Sequence, residues 1–278
     1  MTLSIIIVNY NGINYLEGCL NSIFNNLQLI DYEVIIIDNK STDDSVEFIK
    51  KKFPNVILIE SDDNLGFAKG NNIASKNAKG KYLLLLNNDT ILNSNLNNEI
   101  DILNKNNWIG ALGIQMLNKN YEYTCSTGRF PRFNNIYKLK NLYLNQKENL
   151  NKNEIFKVDW IEGSFILIPH HVWAKIQGFT EDYFMYAEDI DICKKIKNLN
   201  YEIVFYPKST YIHFGGFNSE RNKLLISSLK TYCDKNMPIF ERFISKKLLN
   251  LNLIIKKMKN IRHINIILLS FFFYKLLS

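Results

Sequence analysis

Short apolar runs recur through the N-terminal part of the chain, and polar residues follow most of them. The runs lie at residues 4–8, 33–37, 56–59 and 81–86. Because they are rich in Ile, Val and Leu without polar alternation, they are typical of strands that are buried on both faces of a parallel sheet. Residues 15–25 place apolar side chains on one helical face, and a second helix is predicted to begin near Asp43 and to end before Pro54. The alternation predicts an α/β fold with a mainly parallel central sheet flanked by helices.

Three of these predicted strands end in polar or acidic side chains. The residues at the three ends are Asn9 and Tyr10, then Asp38, then Asn87, Asn88 and Asp89. Any one such end is equally well explained as an ordinary polar turn. Since parallel strands bring their carboxyl ends to one edge of a sheet, three ends in succession favour a ligand pocket there.

The pocket lacks the usual phosphate-binding sequences. Neither GxGxxG nor GxxxxGK[ST] occurs after a predicted strand, which argues against a dinucleotide-binding Rossmann site and a P-loop. A divalent cation on Asp89 is the candidate device for holding phosphates, because hard cations prefer oxygen ligands.

The second half of the chain contains one acidic cluster. Glu188, Asp189 and Asp191 follow an aromatic stretch and begin a predicted helix. Acids at a helix N-terminus are favourable through the helix dipole, which explains the cluster without any function. Alternatively, the aromatic residues shield a carboxylate and raise its basicity, which suits proton abstraction. From these residues alone, both interpretations stay open.

Composition narrows the class of protein. The chain has 278 residues, 46% hydrophobic residues and a net charge of +7, typical of a globular protein that can meet anionic partners. The four cysteines show no CxxC spacing, which suits a reducing cytosol, and no signal peptide or membrane span is expected. The basic residues are dispersed without a recognition motif, so we expect no nucleic-acid partner.

The ordered motifs resemble glycosyltransferase family 2, and particularly its bacterial rhamnosyltransferase-like branch. The matching segments are residues 6–11, 37–43, 64–72, 86–90, 162–164, 178–179 and 186–192. Each segment is weak alone, but their order and spacing are specific. The resemblance implies a Rossmann-like GT-A fold and an inverting sugar transfer from a nucleoside-diphosphate sugar.

The resemblance also implies the residues that bind the donor. These are Val8, Asn9, Tyr10, Asp38, Asn64, Gly66, Asn71, Asn87 and Asn88. Val8 and Tyr10 would pack around the nucleotide base, and Asp38 would accept a hydrogen bond from its imide nitrogen. Asp89 would hold Mg²⁺ or Mn²⁺ at the position of the family's DxD motif, with His213 completing the metal shell as in some relatives. Asn87 replaces the first acid of that motif, which puts strict metal dependence in doubt.

For the acceptor side, the resemblance implies that Asp189 is the general base and that Glu188 orients the site. Trp160, Glu162, Gly163 and Asp191 are the expected acceptor or sugar contacts. The expected function is transfer of rhamnose or a related hexose to a glycan or polyprenyl-diphosphate-linked acceptor in O-antigen or capsule synthesis. The alternative is a catalytically silent nucleotide-sugar-binding scaffold subunit.

The resemblance ends near residue 217, which divides the chain into a GT-A domain (1–217) and a helical extension (218–278). The extension combines Leu and Ile clusters with several Lys and Arg residues and an apolar run at 264–274. We expect it to lie on an anionic membrane surface, which would make the protein cytoplasmic and peripheral on the inner face of the cytoplasmic membrane. A helix that covers the core or contacts a second subunit is the alternative.

Overall fold

The computed structural model describes residues 1–150, 152–215 and 221–260. The predicted domain boundary at 217 and the apolar run at 264–274 therefore lie outside the described residues.

The first half of the chain alternates strands and helices. The elements are β1 (Leu3–Asn9), α1 (Ile13–Asn26), β2 (Tyr32–Asp38), α2 (Ser45–Lys52), β3 (Ile57–Glu60), α3 (Gly66–Ser75), β4 (Tyr82–Asn87), β5 (Thr90–Leu92), α4 (Asn97–Lys105) and β6 (Ile109–Leu117). All four predicted N-terminal strands are present, and residues 109–117 add the single strand β6.

The second half is less regular. Its strands and α-helices are β7 (Thr127–Gly128), β8 (Phe156–Val158), β9 (Trp160–Ile161), β10 (Phe165–Pro169), α5 (His170–Ile176), α6 (Glu188–Asn198), β11 (Glu202–His213), α7 (Arg221–Asn236) and α8 (Ile239–Asn260). Two short 3₁₀ helices, Leu139–Leu142 and Lys147–Asn149, lie between β7 and β8.

Two strands of this half are irregular. Strands β9 and β10 are separate, because the chain turns at residues 162–164 before β10 begins. Strand β11 runs through Pro207 to His213, with a register shift between Tyr206 and Thr210. That irregularity accommodates Pro207, which lacks the N–H needed for regular pairing.

Within the described residues, nine strands form one sheet in the order β3-β2-β1-β4-β10-β6-β11-β5, with β8 also pairing to β11. Strands β3, β2, β1 and β4 are mutually parallel, and β10 is antiparallel to β4. The parallel strands deliver the ends of β1, β2 and β4 to one edge, where Asn9 lies beside Asp38 in register. The sequence expectation that these ends meet is confirmed.

The sheet is buried on both faces. Ile6, Ile35 and Leu85 face a core that includes side chains from α3, α5, α6 and α7. Ile5 and Leu84 face a second core that includes side chains from α1, α2 and α4. Each fully buried Ile or Leu contributes about 1.5–3 kcal/mol relative to an exposed one, so the continuous apolar runs anchor the strands whose ends carry the polar residues.

None of the helices in the described part of the chain has the length and apolar character that crossing a bilayer requires.

Candidate active site

Asn9 connects the ends of three strands. Its side chain is fully buried, and its Nδ2 donates to Asp38 Oδ1 at 2.8 Å. Its Oδ1 accepts a hydrogen bond of 2.7 Å from Nδ2 of Asn88, at the end of β4. Gly12 packs against this link, because a Cβ added there would lie 2.1 Å from Asn88 Nδ2 and 2.3 Å from Asn9 Oδ1. A residue without a side chain is therefore required where the turn after β1 meets these two amides.

Asp38 organises the turn after β2 instead of facing the pocket. Ser41 donates twice to its carboxylate, from the hydroxyl at 2.6 Å and from the backbone N–H at 2.8 Å. With Asn9 as a third donor, the carboxylate is well satisfied, and the residue is only 2% exposed. The structure therefore does not place Asp38 at the pocket surface, where a contact with a nucleotide base was expected. The neighbouring Asn39 lines the pocket and was missed.

A cavity of about 280 Å³ opens at these strand ends. The predicted donor-binding residues that line it are Val8, Tyr10, Asn64, Gly66, Asn87 and Asn88. Lining residues that the sequence analysis missed include Tyr15, Phe67 and Met185. Asn71 does not line it, because its side chain is buried and donates to the Phe67 carbonyl at 2.9 Å. Asn9 and Asn71 therefore support the cavity wall from behind.

Asp89, at the floor of the same cavity, lies beside His213. His213 Nε2 lies 3.2 Å from Asp89 Oδ1 and 3.3 Å from Asn87 Nδ2. The pairing of β11 with β5 brings them together, since His213 is in register with Thr90. Burial by itself would raise the pKa of Asp89, but the hydrogen bond and charge of His213 hold that pKa below its usual value. The carboxylate is therefore ionised at neutral pH.

These residues fit a divalent cation. Asp89 offers a carboxylate, His213 an imidazole, and Asn87 an amide Oδ1 that is buried and has no hydrogen-bond partner among the described residues. The carboxylate and amide oxygens suit Mg²⁺ or Mn²⁺. No group of three His, Cys, Asp or Glu side chains that could hold a metal occurs in the described ranges, so an amide would complete this set.

A second cavity, of about 230 Å³, adjoins the first and shares Phe67, Asn87, Asp89 and Met185 with it. The predicted catalytic or acceptor residues Glu188, Asp189, Trp160, Glu162 and Gly163 all line it.

Asp189 projects from the first turn of α6. The preceding residues Tyr186 and Ala187 have φ angles of 71° and 62°, a left-handed conformation that non-glycine residues rarely adopt. Two backbone N–H groups hold the carboxylate, that of Gly163 at 3.1 Å to Oδ2 and that of Ile190 at 2.8 Å to Oδ1. The strained turn and these two hydrogen bonds aim the side chain into the cavity.

The carboxyl groups of the cavity perturb one another. Loss of hydration and the charge of Glu162 together raise the pKa of Asp189 to about 7. Burial, reinforced by the charge of Asp189, raises the pKa of Glu188 well above its ordinary value. Both shifts favour the protonated form of the carboxyl and make its ionised form more basic than an ordinary carboxylate.

Asp191 does not reach the cavity, although an acceptor or sugar contact was expected of it. The residue is 2% exposed, and its carboxylate accepts hydrogen bonds from Thr180 at 2.6 Å, Tyr183 at 3.2 Å and Asn236 at 2.7 Å. It points into the core because it lies two residues beyond Asp189 on the helix, which corresponds to a different face. Its partners join α6 to the preceding loop and to α7.

Comparison with known proteins places this geometry in a family. Residues 4–165 match the model of "Glycosyl transferase family 2". Rhamnosyltransferase WbbL of Escherichia coli is 28% identical over 224 residues, which are 76% of this chain and 82% of that protein. The poly(ribitol-phosphate) beta-glucosyltransferase of Bacillus spizizenii is 39% identical over 99 residues, but the match spans 34% of this chain and only 16% of that protein.

Solved structures share the fold. Residues 1–349 of TarS from S. aureus, crystallised in complex with UDP, superpose with a TM-score of 0.59 at 19% identity, covering 91% of this chain and 71% of that one. The matched family model covers more than half of the chain, and the fold agrees with it. The chain belongs to glycosyl transferase family 2.

Proposed function

We propose that the protein is an inverting glycosyltransferase of bacterial surface polysaccharide synthesis, for example of O-antigen or capsule. It would transfer rhamnose or a related hexose from a nucleoside-diphosphate sugar to a glycan or a polyprenyl-diphosphate-linked acceptor. The observation that carries the proposal is the position of Asp189. Its carboxylate lines the cavity of about 230 Å³, which shares Asn87 and Asp89 with the cavity of about 280 Å³ that the predicted donor-binding residues line (the donor cavity). The proposed base therefore lies next to the proposed phosphate-binding residues.

The sugar transfer is a single displacement. The acceptor hydroxyl oxygen attacks the anomeric carbon from the side opposite to the diphosphate, and Asp189 takes the hydroxyl proton as the new C–O bond forms. The bond from the anomeric carbon to the diphosphate oxygen breaks, and the diphosphate leaves with the electron pair. One displacement at one carbon inverts the anomeric configuration.

The surrounding residues prepare Asp189 for this step. The Gly163 and Ile190 N–H groups fix the direction of its carboxylate, and the charge of Glu162 increases its basicity. A base with a pKa near the working pH combines a useful ionised fraction with a useful driving force for proton transfer. Burial and the charge of Asp189 raise the pKa of Glu188, which favours its neutral form beside the base.

Asp89, His213 and Asn87 would hold Mg²⁺ or Mn²⁺ where the two cavities adjoin. A bound cation would stabilise the charge that develops on the leaving diphosphate. Because Asn87 supplies an uncharged ligand, we expect weaker metal binding than two carboxylates would give.

We further propose that the protein works in the cytoplasm, peripherally on the inner face of the cytoplasmic membrane. Ile239, Phe240 and Phe243 are exposed near the start of α8, with 80%, 73% and 60% of their surfaces accessible. Lys247 stacks over the ring of Phe243. Apolar side chains beside a basic residue suit an anionic lipid surface. Sedimentation with vesicles that contain anionic lipid would test this placement, with zwitterionic vesicles as the control.

The central experiment is a panel of nucleotide-sugars, dTDP-rhamnose and UDP-sugars included, assayed for hydrolysis and transfer with and without Mn²⁺. Turnover of one donor, with the opposite anomeric configuration in the product, is expected. A protein that binds a nucleotide but turns over no donor with any acceptor would instead be the scaffold subunit. Asn87 replaces the first acid of the DxD motif, and this replacement is the observation that favours the scaffold subunit as the second candidate function.

A further inference from the structure

The donor cavity and the cavity around Asp189 meet at four shared side chains. Asn87 and Asp89 are the polar members of this set, and Phe67 and Met185 are the apolar members. Under the proposed function, the donor's diphosphate lies at Asn87 and Asp89, and the acceptor hydroxyl lies at Asp189. The sugar that the diphosphate carries must therefore lie at this junction, within reach of the two apolar side chains.

The ring of Phe67 borders the space beside the proposed base. A Cβ added to Gly163 would lie 3.7 Å from Cε1 of Phe67, 3.7 Å from Oδ2 of Asp189 and 3.4 Å from Cβ of Asp189. A carbon atom at that point would therefore make ordinary van der Waals contact with the ring and with the carboxylate at once. Phe179 packs against Phe67, with ring centroids 5.6 Å apart, and helps to hold the ring in place. A sugar carbon that approaches Asp189 would thus lie close to this ring.

Met185 is fixed through its backbone while its side chain stays accessible. The Ser228 hydroxyl on α7 donates to the Met185 carbonyl at 2.7 Å. The preceding carbonyl, that of Phe184, accepts the Phe67 N–H at 3.0 Å, and a Cβ added to Gly66 would lie only 2.4 Å from that oxygen. Met185 is nonetheless 38% exposed and lines both cavities. Because a thioether chain adapts to irregular apolar surfaces, a ligand that covers it gains favourable contact.

We propose that Phe67 and Met185 form the part of the donor site that recognises the sugar. The aromatic ring and the thioether would pack on the C–H surface of the sugar ring. This contact would hold the anomeric carbon between the diphosphate and Asp189. The inference rests on the proposed function, because it assigns the residues that contact the sugar of the same donor.

The NMR signals of the methionine methyl groups test the contact directly. The chain has five methionines, so isotopic labelling of their methyl groups gives few signals, and Met185→Leu identifies the signal of Met185. The probes are UDP and dTDP, compared with UDP-glucose, UDP-N-acetylglucosamine and dTDP-rhamnose, all in buffer with Mg²⁺. We expect at least one nucleotide-sugar to shift the Met185 signal beyond the shift that its nucleoside diphosphate causes. Identical shifts for every nucleotide-sugar and its nucleoside diphosphate would overturn the inference.

Calorimetry on variants tests how much the contact contributes to binding. We expect Met185→Ala to weaken binding of the preferred nucleotide-sugar about fivefold, because apolar contact is lost, and to leave its nucleoside diphosphate within about twofold. Phe67→Leu should weaken the same ligand selectively, whereas Met185→Leu, which keeps most of the apolar volume, should bind it almost as the wild type does. Leu199→Ala is the matched control, since Leu199 is 43% exposed and lines neither cavity. If Met185→Ala or Phe67→Leu weakens both ligands equally or neither of them, the inference is wrong for that residue.

Donor turnover on the same preparation separates the two proposals. A wild-type protein that turns over a nucleotide-sugar, with no selective loss in either variant, would refute only the assigned sugar contact. A protein that shows the selective losses but turns over no donor with any acceptor would refute only the enzymatic function. A wild-type protein that binds none of the nucleotide-sugars would refute both.

Discussion

At the scale of single residues, the most consequential property is the raised pKa of Asp189. Loss of hydration and the charge of Glu162 act in the same direction, and the Ile190 and Gly163 N–H groups oppose them only in part. A base must be deprotonated to accept a proton, so under the proposed mechanism we expect the environment of Asp189 to set the pH range of activity.

The first prediction concerns the pH dependence of activity. We expect kcat/KM to rise about tenfold per pH unit below pH ~7 and to level off above it, because only the ionised Asp189 can act as base. Glu162→Gln removes a negative charge beside Asp189, which lowers its pKa and moves the rising limb to lower pH. Steady-state rates between pH 5 and 9 provide the measurement. An unshifted limb in the variant would contradict the assigned cause of the pKa.

Glu188 provides a second prediction, on stability. Its pKa is raised in the folded protein, so the folded state holds a proton that the unfolded chain releases as pH rises above the ordinary Glu pKa. Stability is therefore lost with increasing pH through this group. Glu188→Gln removes this loss, and we expect the variant to melt at higher temperature than the wild type at pH 8. The difference should shrink towards pH 4, and the same difference at both pH values would refute the linkage.

The sequence identified the part of the site that follows from strand ends. Asn87, Asn88 and Asp89 follow a buried strand, and topology alone places them at the pocket. It could not decide which of two buried neighbours lines the cavity: Asp38 was chosen, yet its carboxylate is held by Ser41 in the turn, and Asn39 is the residue that lines the cavity. The direction of a side chain at a strand end depends on the turn that follows, and a strand pattern does not encode that turn.

At the scale of elements, the loop after β1 depends on close packing at Gly12. We expect Gly12→Ala to separate Asn9 from Asn88 and to weaken nucleotide binding about tenfold, which corresponds to loss of roughly one hydrogen bond to a buried group. Gly18→Ala in α1 is the matched control, because the Cβ would approach only the movable end of Ile91. Titration with UDP and dTDP checks this, and equal affinities for the two variants would contradict it.

Helix α6 is held from behind by Asp191 and Asn236. Asn236→Leu removes one donor from a buried carboxylate, which we expect to cost about 1–3 kcal/mol of stability. Because the same contact positions the helix that carries Asp189, kcat should fall while the KM for the donor stays within twofold. Asp234→Asn, on α7 like Asn236 but at the surface, is the control. If the two variants have equal kcat, α7 does not position the base.

The cavity around Asp189 shows which contacts a local sequence pattern cannot predict. The acidic cluster is local and visible in the sequence, and the family resemblance singled out Asp189 within it. Leu139 and Leu225, in contrast, reach the cavity from segments far apart in the chain. Residues 118–157 have no clear period, and the structure shows mainly 3₁₀ turns and irregular segments there. Contacts made by such segments depend on the tertiary fold, so no local pattern predicts them.

At the scale of the whole molecule, the fold brings the proposed donor cavity, the candidate cation ligands and Asp189 to one edge of the sheet. The described helices α7 and α8 pack on the same core as α6, with Ile226, Leu229 and Leu249 fully buried. The C-terminal helices thus support the catalytic unit. Whether residues 218–278 form a separate unit stays a prediction, to be checked by comparing the melting of chains that end at residues 217 and 260.

The proposed function depends on Asp189 acting as the base of sugar transfer. The most direct test compares Asp189→Asn with Asp182→Asn, a matched change at an exposed carboxylate in the preceding loop. With the donor that the wild type uses, we expect Asp189→Asn to lower kcat by about 10²–10⁴-fold, with nucleotide affinity unchanged. Asp182→Asn should keep the wild-type rate. If Asp189→Asn retains activity within threefold of the wild type, Asp189 is not the base and the central claim is wrong.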